Sequence, residues 1–400
     1  MSRFDEHIDR KNTNSMNIEG FRSYIFKDRN IEFPFPDDEF IRMWVADMDF
    51  AVADEIIDAV KNRLDSRILG YTAMYDDTYY RTFSKWCRER YEWSFDKKSL
   101  FISEGVVSAL IKIVGYVTED EDSVLFFTPS YGPFKTAASI NSRRCIYSPL
   151  VKKDGVFRID FDDFEKKAKE AKVLIFCSPH NPTGRVWEKE ELERICKIIR
   201  KYDLWVISDE IHCDILRNGV SHTPLAKVIG DYDKIVTCMA PSKTFNLAGL
   251  RFSNVIIEND HLARKWKMYN TIDVNPLSLA AAQAAYESGD IWLSELKDYL
   301  DGNFERLKKI IDEKLPLAEF EIPDATYLAW VNLERYFKPG EDIARYIAYN
   351  ARVLTEGAGN FVDNADGYLR LNLACPRDVL EEGIMRIAQA VRNNGDNNVY

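Results

Sequence analysis

The chain has 400 residues, 46% of them hydrophobic, enough to bury a large core and to divide into one large and one smaller domain. Its 54 Lys and Arg stand against 65 Asp and Glu, with both signs interspersed; nucleic acid is excluded as a main partner, because phosphate binding needs a concentrated basic face. The amino terminus, MSRFDEHIDRKNTNS, is polar, and no later stretch reaches the roughly 18 apolar residues of a membrane span, so the expectation is a cytoplasmic protein with no membrane partner.

Seven cysteines, at 87, 145, 177, 196, 213, 238 and 375, form no C-x-x-C pair. The scattered, odd set fits a reducing compartment and argues against a disulfide framework and a zinc site, so no metal is expected. No repeat, low-complexity tract or Pro/Gly/Ser-rich linker marks a boundary.

In chain order, the first landmark is WVADMDF at 44–50. Its aspartates precede the helical pattern ADEIIDAVKNRL, and Asp49 reads as a helix cap. GYT follows at 70–72. From about residue 99 to 260, β-rich runs alternate with amphipathic stretches: SLFIS then VVSALIKIVGYV, SVLFF, RCIYS, KVLIFC then KEELERICKIIRKY, LWVIS, KIVTCM and NVIIE. That alternation predicts an α/β fold with a mostly parallel sheet flanked by helices. After about residue 280 come two helical patterns, LSLAAAQAAYES and LSELKDYLDGNFERLKKIIDEK, then two isolated strand candidates, YLAWVNL and GYLRLNLA. These predict a smaller α+β domain. The expected division is 1–50 as a segment packing with the small domain, 51–280 as the large domain and 281–400 as the small one.

In open parallel sheets the site lies beyond the carboxyl ends of the strands. The residues after each apolar run are therefore collected: Glu104-Gly105-Val106-Val107, TPSYGPF with Tyr131, SPHNPTG with Asn181, DEIH with Asp209 and His212, and APSKTF with Ser242 and Lys243. An aspartate, an asparagine, a lysine, a serine, an arginine and a flat aromatic suit a flat, anionic, nitrogen-containing ring held by its phosphate.

SPHNPTG, SDEIH, APSKTFNLAGLR and GYLRLNLACP, in that order, resemble the fold type I, pyridoxal-phosphate-dependent aminotransferase superfamily of classes I and II. WVADMDF, GYT and His212 resemble its cystathionine beta-lyase branch, the cysteine-sulfur lyases. The likeness spans roughly residues 40 to 380. It implies pyridoxal 5'-phosphate as cofactor, a small amino-acid substrate and a homodimer with shared active sites.

By this resemblance Lys243 forms the Schiff base with the cofactor aldehyde, a role that needs a neutral amine and so a depressed pKa. Asp209 pairs with the protonated pyridine nitrogen, although alone it would read as a helix cap. Asn181, otherwise a turn marker, bonds the phenolic oxygen of the ring. His212 stands where many relatives carry a tyrosine on that oxygen; a ring contact and a structural histidine both remain open. The amides of Val106 and Val107, the Ser242 hydroxyl and the Arg251 guanidinium hold the phosphate. Ala240 replaces a phosphate-binding serine found in many relatives. Tyr131 lies over the ring, and Tyr71 reaches the phosphate of a neighbouring subunit. Arg370 grips the substrate α-carboxylate, while Trp44 and Ala46 line the substrate entrance.

With Lys243 as base at the substrate Cα, a thiolate on Cβ leaves and pyruvate and ammonia follow, a carbon-sulfur β-elimination. Transamination uses the same Lys, Asp, Asn and Arg, so an aminotransferase is the alternative; the branch resemblance favours elimination. A regulatory protein on the same fold without turnover is a third reading, disfavoured by the intact Lys243.

Overall fold

Eight strands form the central sheet of the computed structural model, which describes residues 2–270 and 274–397. They are β1 (Leu100–Ser103), β2 (Ser123–Thr128), β3 (Arg144–Lys153), β4 (Val156–Ile159), β5 (Val173–Cys177), β6 (Trp205–Asp209), β7 (Ile235–Met239) and β8 (Ser253–Ile257). The spatial order is β1-β8-β7-β6-β5-β2-β3-β4. The neighbours β7, β6, β5, β2 and β3 run parallel, β8 is antiparallel to β1 and β7, and β4 returns as a hairpin on β3. This is the mostly parallel sheet expected from the alternating pattern.

The strands are apolar throughout because both faces are covered. Along β2, Val124 and Phe126 point into one core with the helix Val106–Val117, while Leu125 and Phe127 point into another with the helices Phe161–Ala168 and Lys189–Tyr202. The helix Lys189–Tyr202 shows how locally such elements are specified. Leu192, Ile195, Cys196, Ile198 and Ile199 form its buried stripe, a Glu188/Glu191 capping box opens it, and Asp203 in the left-handed region closes it.

A second, three-stranded sheet joins Leu328–Asn332, Tyr368–Asn372 and Glu356–Gly357, with Tyr368–Asn372 central and antiparallel to both neighbours. The amino-terminal segment leans on this side of the molecule: Ile41–Arg42 pairs in parallel with Val353–Leu354, and Phe21, Phe26, Phe40 and Trp44 share a core with Ala348 and Leu354. By contrast, Ala281, Ala282 and Ala285 of the helix Pro276–Ser288 pack in the core that holds Phe83, Trp86 and Phe245.

The expectation that Asp49 caps a helix is corrected. The helix Asp54–Asp65 has Ala53 at its N-cap and no side-chain cap. A capping side chain must sit immediately before the first helical residue, and Asp49 lies too early. It instead accepts a hydrogen bond from the Arg10 guanidinium at 3.0 Å. Among the described residues no helix is long and apolar enough to cross a membrane.

Candidate active site

The turns that leave the carboxyl ends of the central strands open into one cleft of about 1080 Å³. Lys243, Asp209, Asn181, His212, Tyr131, Ser242, Arg251, Val106, Val107, Ala46 and Arg370 all line it. Each strand carries the chain to the rim, and the turn behind it presents a polar group.

At the end of β1, Gly105 takes φ 148°, a conformation that side chains tolerate poorly, and the helix Val106–Val117 begins there. The first backbone bond back into this helix runs from the Ala109 amide to the Gly105 carbonyl, so the amides of Val106, Val107 and Ser108 have no partner within it. Ser242 and Arg251 line the same cleft; Arg251 is 70% exposed in its side chain, with Glu104 3.9 Å away. Free amides, a hydroxyl and a guanidinium are the kinds of group that bind an anion.

Asp209 is the last residue of β6, nearly fully buried, and its Oδ1 accepts from the Ile211 amide at 3.2 Å. Burial pushes its carboxyl up to about 7, the Ile211 amide opposes that, neighbouring Glu210 adds to it and Lys243 opposes it. The charged carboxylate is thus under-compensated here, and a cation placed opposite it would favour it. His212 is 2% exposed, its Nδ1 has no partner, and burial, with lesser help from Lys243 and Arg370, pushes it down to about 3. It is neutral at physiological pH and keeps an unsatisfied ring nitrogen within the cleft lining.

Lys243 sits in the short helix Pro241–Thr244 behind β7 and donates from Nζ to the Ala46 carbonyl at 2.6 Å. Burial first, then Arg370, lowers its amine to about 8 against the pull of Asp47, Asp209 and Glu356. The turn is anchored from behind: Asp214 accepts from Thr244 Oγ1 at 2.8 Å, from Trp86 Nε1 at 3.0 Å and from the Tyr91 hydroxyl. Asn246 then grips the 44–50 segment, accepting from the Met48 amide at 3.0 Å and donating to the Met48 and Phe50 carbonyls at 2.9 and 3.1 Å.

Arg370, on the central strand of the small sheet, is 2% exposed and donates from Nη1 to Asn181 Oδ1 at 3.1 Å. With its oxygen so engaged, the Asn181 amide is left to donate from Nδ2. Tyr131 pairs with Phe361 across a two-residue ladder, and burial raises its phenol to about 12.

One of the site residues named from the sequence lies elsewhere, and another stands clear of its own chain's cleft. Trp44 is 1% exposed, its ring packs in the core with Phe21 and Phe40, and its Nε1 donates to the Asn17 carbonyl at 3.2 Å; only its own carbonyl faces Arg370. A large apolar ring finds a better place in that aromatic cluster than in a polar cleft. Tyr71 is 92% exposed and does not line the cleft of its own chain.

Several residues in and beside the cleft were not named from the sequence. Glu356 bonds Arg370, Arg10 pins Asp47 and Asp49, and Tyr327 donates to the Ala46 carbonyl at 2.9 Å. Glu356 was the most findable, a charge at the edge of the apolar run before a glycine in VLTEGAG. Among the described residues no group of three His, Cys, Asp or Glu is placed to hold a metal.

The family model for aminotransferase class I and II matches residues 38–387. Cystathionine beta-lyase PatB of Bacillus subtilis is 36% identical over 358 residues, 87% of this chain and 92% of that protein. The PLP-bound C-S lyase of Staphylococcus hominis superposes with a TM-score of 0.92 at 47% identity, covering 97% of each chain. Cystalysin of Treponema denticola, whose structure contains pyridoxal 5'-phosphate, superposes with a TM-score of 0.90 at 32% identity and covers 98% of each.

Proposed function

The chain belongs to the class I and II aminotransferase family, and we propose that within it this protein is a pyridoxal-phosphate-dependent carbon-sulfur β-lyase, splitting cystathionine or related S-substituted L-cysteines into thiol, pyruvate and ammonia. Lys243, Asp209 and Arg370 in one cleft serve elimination and transamination alike; the observation that carries the reading toward elimination is the likeness over 97% of the chain, at 47% identity, to a PLP-bound C-S lyase.

The residues fit the cofactor. The orphaned Nδ1 of His212 and the free Nδ2 of Asn181 suit its phenolic oxygen, the Asp209 carboxyl suits its ring nitrogen, and Val106, Val107, Ser242 and Arg251 suit its phosphate. Tyr131 provides a flat wall. When bound, pyridoxal phosphate supplies an electron sink for charge at the substrate Cα.

The chain's own residues do the rest. Arg370 takes the substrate α-carboxylate and so fixes which Cα bond faces Lys243. Lys243, whose amine is held by the Ala46 carbonyl, removes the Cα proton, and the Cβ–S bond then breaks to release the thiol. Asp209 keeps a proton on the nitrogen opposite it, since an adjacent cation reverses the burial that raises its own carboxyl.

The dimer also belongs to this reading. Ile68, Leu69, Tyr71 and Tyr75 are 72%, 57%, 92% and 87% exposed, an apolar run that water does not favour. We place it against a second copy, with Tyr71 reaching the neighbour's phosphate cradle. The seven free cysteines suit a reducing cytoplasm.

Purified protein loaded with pyridoxal phosphate and given L-cystathionine without a keto acid is expected to release pyruvate and thiol over many turnovers. One turnover that stops until a keto acid is added would make the protein an aminotransferase.

A further inference from the structure

The reaction proposed above does not call on Glu356, yet this carboxylate is 1% exposed, lines the cleft and stands opposite Arg370 across two strands. Its Oε2 accepts from Arg370 Nη2. The same Nη2 reaches the Trp44 carbonyl at 3.5 Å, Nη1 donates to Asn181, and the buried Nε has no partner. A guanidinium offers two forks to a carboxylate, one made by Nη1 with Nη2 and one by Nε with Nη2. Both use Nη2, so Glu356 competes with an incoming carboxylate for it.

We propose that Glu356 is an internal stand-in for the substrate carboxylate, holding Arg370 in the resting site and turning toward the Tyr24 hydroxyl when substrate takes its place. This inference rests on the reading of Arg370 as the carboxylate receptor. Tyr24 lines the same cleft as Glu356, near its carboxylate.

The charged and titratable groups around Glu356 come from every side: Arg370 from the neighbouring strand, Tyr24 and Lys27 from the amino-terminal segment, Lys243 from the turn behind β7 and Tyr131 from the rim. Burial pushes the Glu356 carboxyl up, and Arg370 is the largest force opposing it. An arriving carboxylate takes over Arg370 and adds a like charge, so both changes favour protonated Glu356. Binding therefore takes up a proton, and affinity falls as pH rises between the Glu356 pKa of the resting site and the higher one of the complex.

The probe is 3-(methylthio)propionate, the carboxylate of S-methylcysteine without its amino group, titrated calorimetrically into the cofactor-loaded full chain in two buffers of different ionisation enthalpy. Wild type is expected to take up protons on binding. Glu356→Gln is expected to bind about tenfold tighter at pH 8 and to take up none. Equal or weaker binding by this variant, or unchanged proton uptake, would overturn the proposal. If Glu356→Gln fails to load cofactor, Tyr24→Phe serves instead: it removes the receiving hydroxyl and should weaken binding about threefold, a loss of one hydrogen bond's worth, and unchanged affinity would again overturn the proposal. Arg370→Lys tests the footing separately. If that change leaves probe binding intact, the reading of Arg370 fails rather than the role of Glu356.

Discussion

The floor of the cleft is made of turns that leave the strands of the central sheet, each presenting Asp209, Asn181 or Lys243 directly behind a buried run; the strap across it, residues 44–50, belongs to no regular element and is tied down by side chains from three other places. Asn246 holds Met48 and Phe50, Asn372 donates to the Val45 and Asp47 carbonyls at 2.7 and 2.5 Å, and Arg10 bridges Asp47 and Asp49. The floor is rigid because the sheet is rigid. The strap has no ladder of its own and is held by these contacts together with the burial of Trp44, Met48 and Phe50, so its geometry depends on side chains where that of the floor depends on the sheet.

If that contrast holds, changes in the floor should strike turnover and changes in the strap should strike substrate affinity. The largest effect is expected from Lys243→Ala, which should lose the absorbance of the lysine-bound cofactor and about 10³- to 10⁴-fold or more in kcat. The same amine sets a pH dependence. Because its pKa is lowered to about 8, the neutral form gains tenfold per pH unit below that value, so cofactor capture by the cofactor-free protein should speed up to about pH 8 and then level off. Stopped-flow absorbance across pH 6 to 10 would show whether the bend is there.

Asp209→Asn comes next, with kcat down on the order of a hundredfold. It also has a stability signature with a definite sign. The Asp209 carboxyl is raised to about 7 in the folded, cofactor-free protein, so wild type loses stability as pH rises from the ordinary aspartate range through 7. The cofactor-free variant should then melt above wild type at pH 8 and level with it at pH 4, and the order should reverse once cofactor is bound. Thermal melts of both forms at the two pH values read this directly.

How much of this was legible before the structure depends on the range of the contacts involved. A buried run followed by a polar turn is a local signal, and so the sheet and the gathering of Lys243, Asp209 and Asn181 could be read from KIVTCMAPSK, LWVISDE and KVLIFCSPHN. The strap could not. Asp49 was given to helix capping, and Asp47 to no role, because their partner Arg10 lies 39 and 37 residues away with no pattern joining them. Trp44 was placed at the entrance by the resemblance of its loop, and no local pattern joins it to its actual partners, Phe21, Phe40 and Leu354. Glu356 lies in a strand of two residues, too short to reveal the register that sets it opposite Arg370.

Smaller effects sharpen the comparison from the strap side. Asn246 sits at φ 58° and makes three contacts to the strap, so Asn246→Ala loses both the hydrogen bonds and a residue type that tolerates the left-handed region, a cost of about 2 to 4 kcal/mol in all. Asn246→Gly restores the backbone freedom but not the bonds, and should recover about 1 kcal/mol of that loss in denaturant titrations. Both should raise KM more than they lower kcat. The smallest change is expected from Arg10→Gln: its ion pairs are partly exposed, so about 1 kcal/mol of stability and a few-fold rise in KM are the most it should cost. A fall in kcat with KM unchanged, in either position, would break the division between floor and strap.

The central claim, that Lys243 is the amine that carries the cofactor, is tested most directly by reducing the loaded protein with borohydride, digesting it and locating the added mass. The account predicts one modified lysine, Lys243, within the peptide that runs from Ile235 to Arg251. Added mass on another lysine, or none retained on the chain, would contradict it.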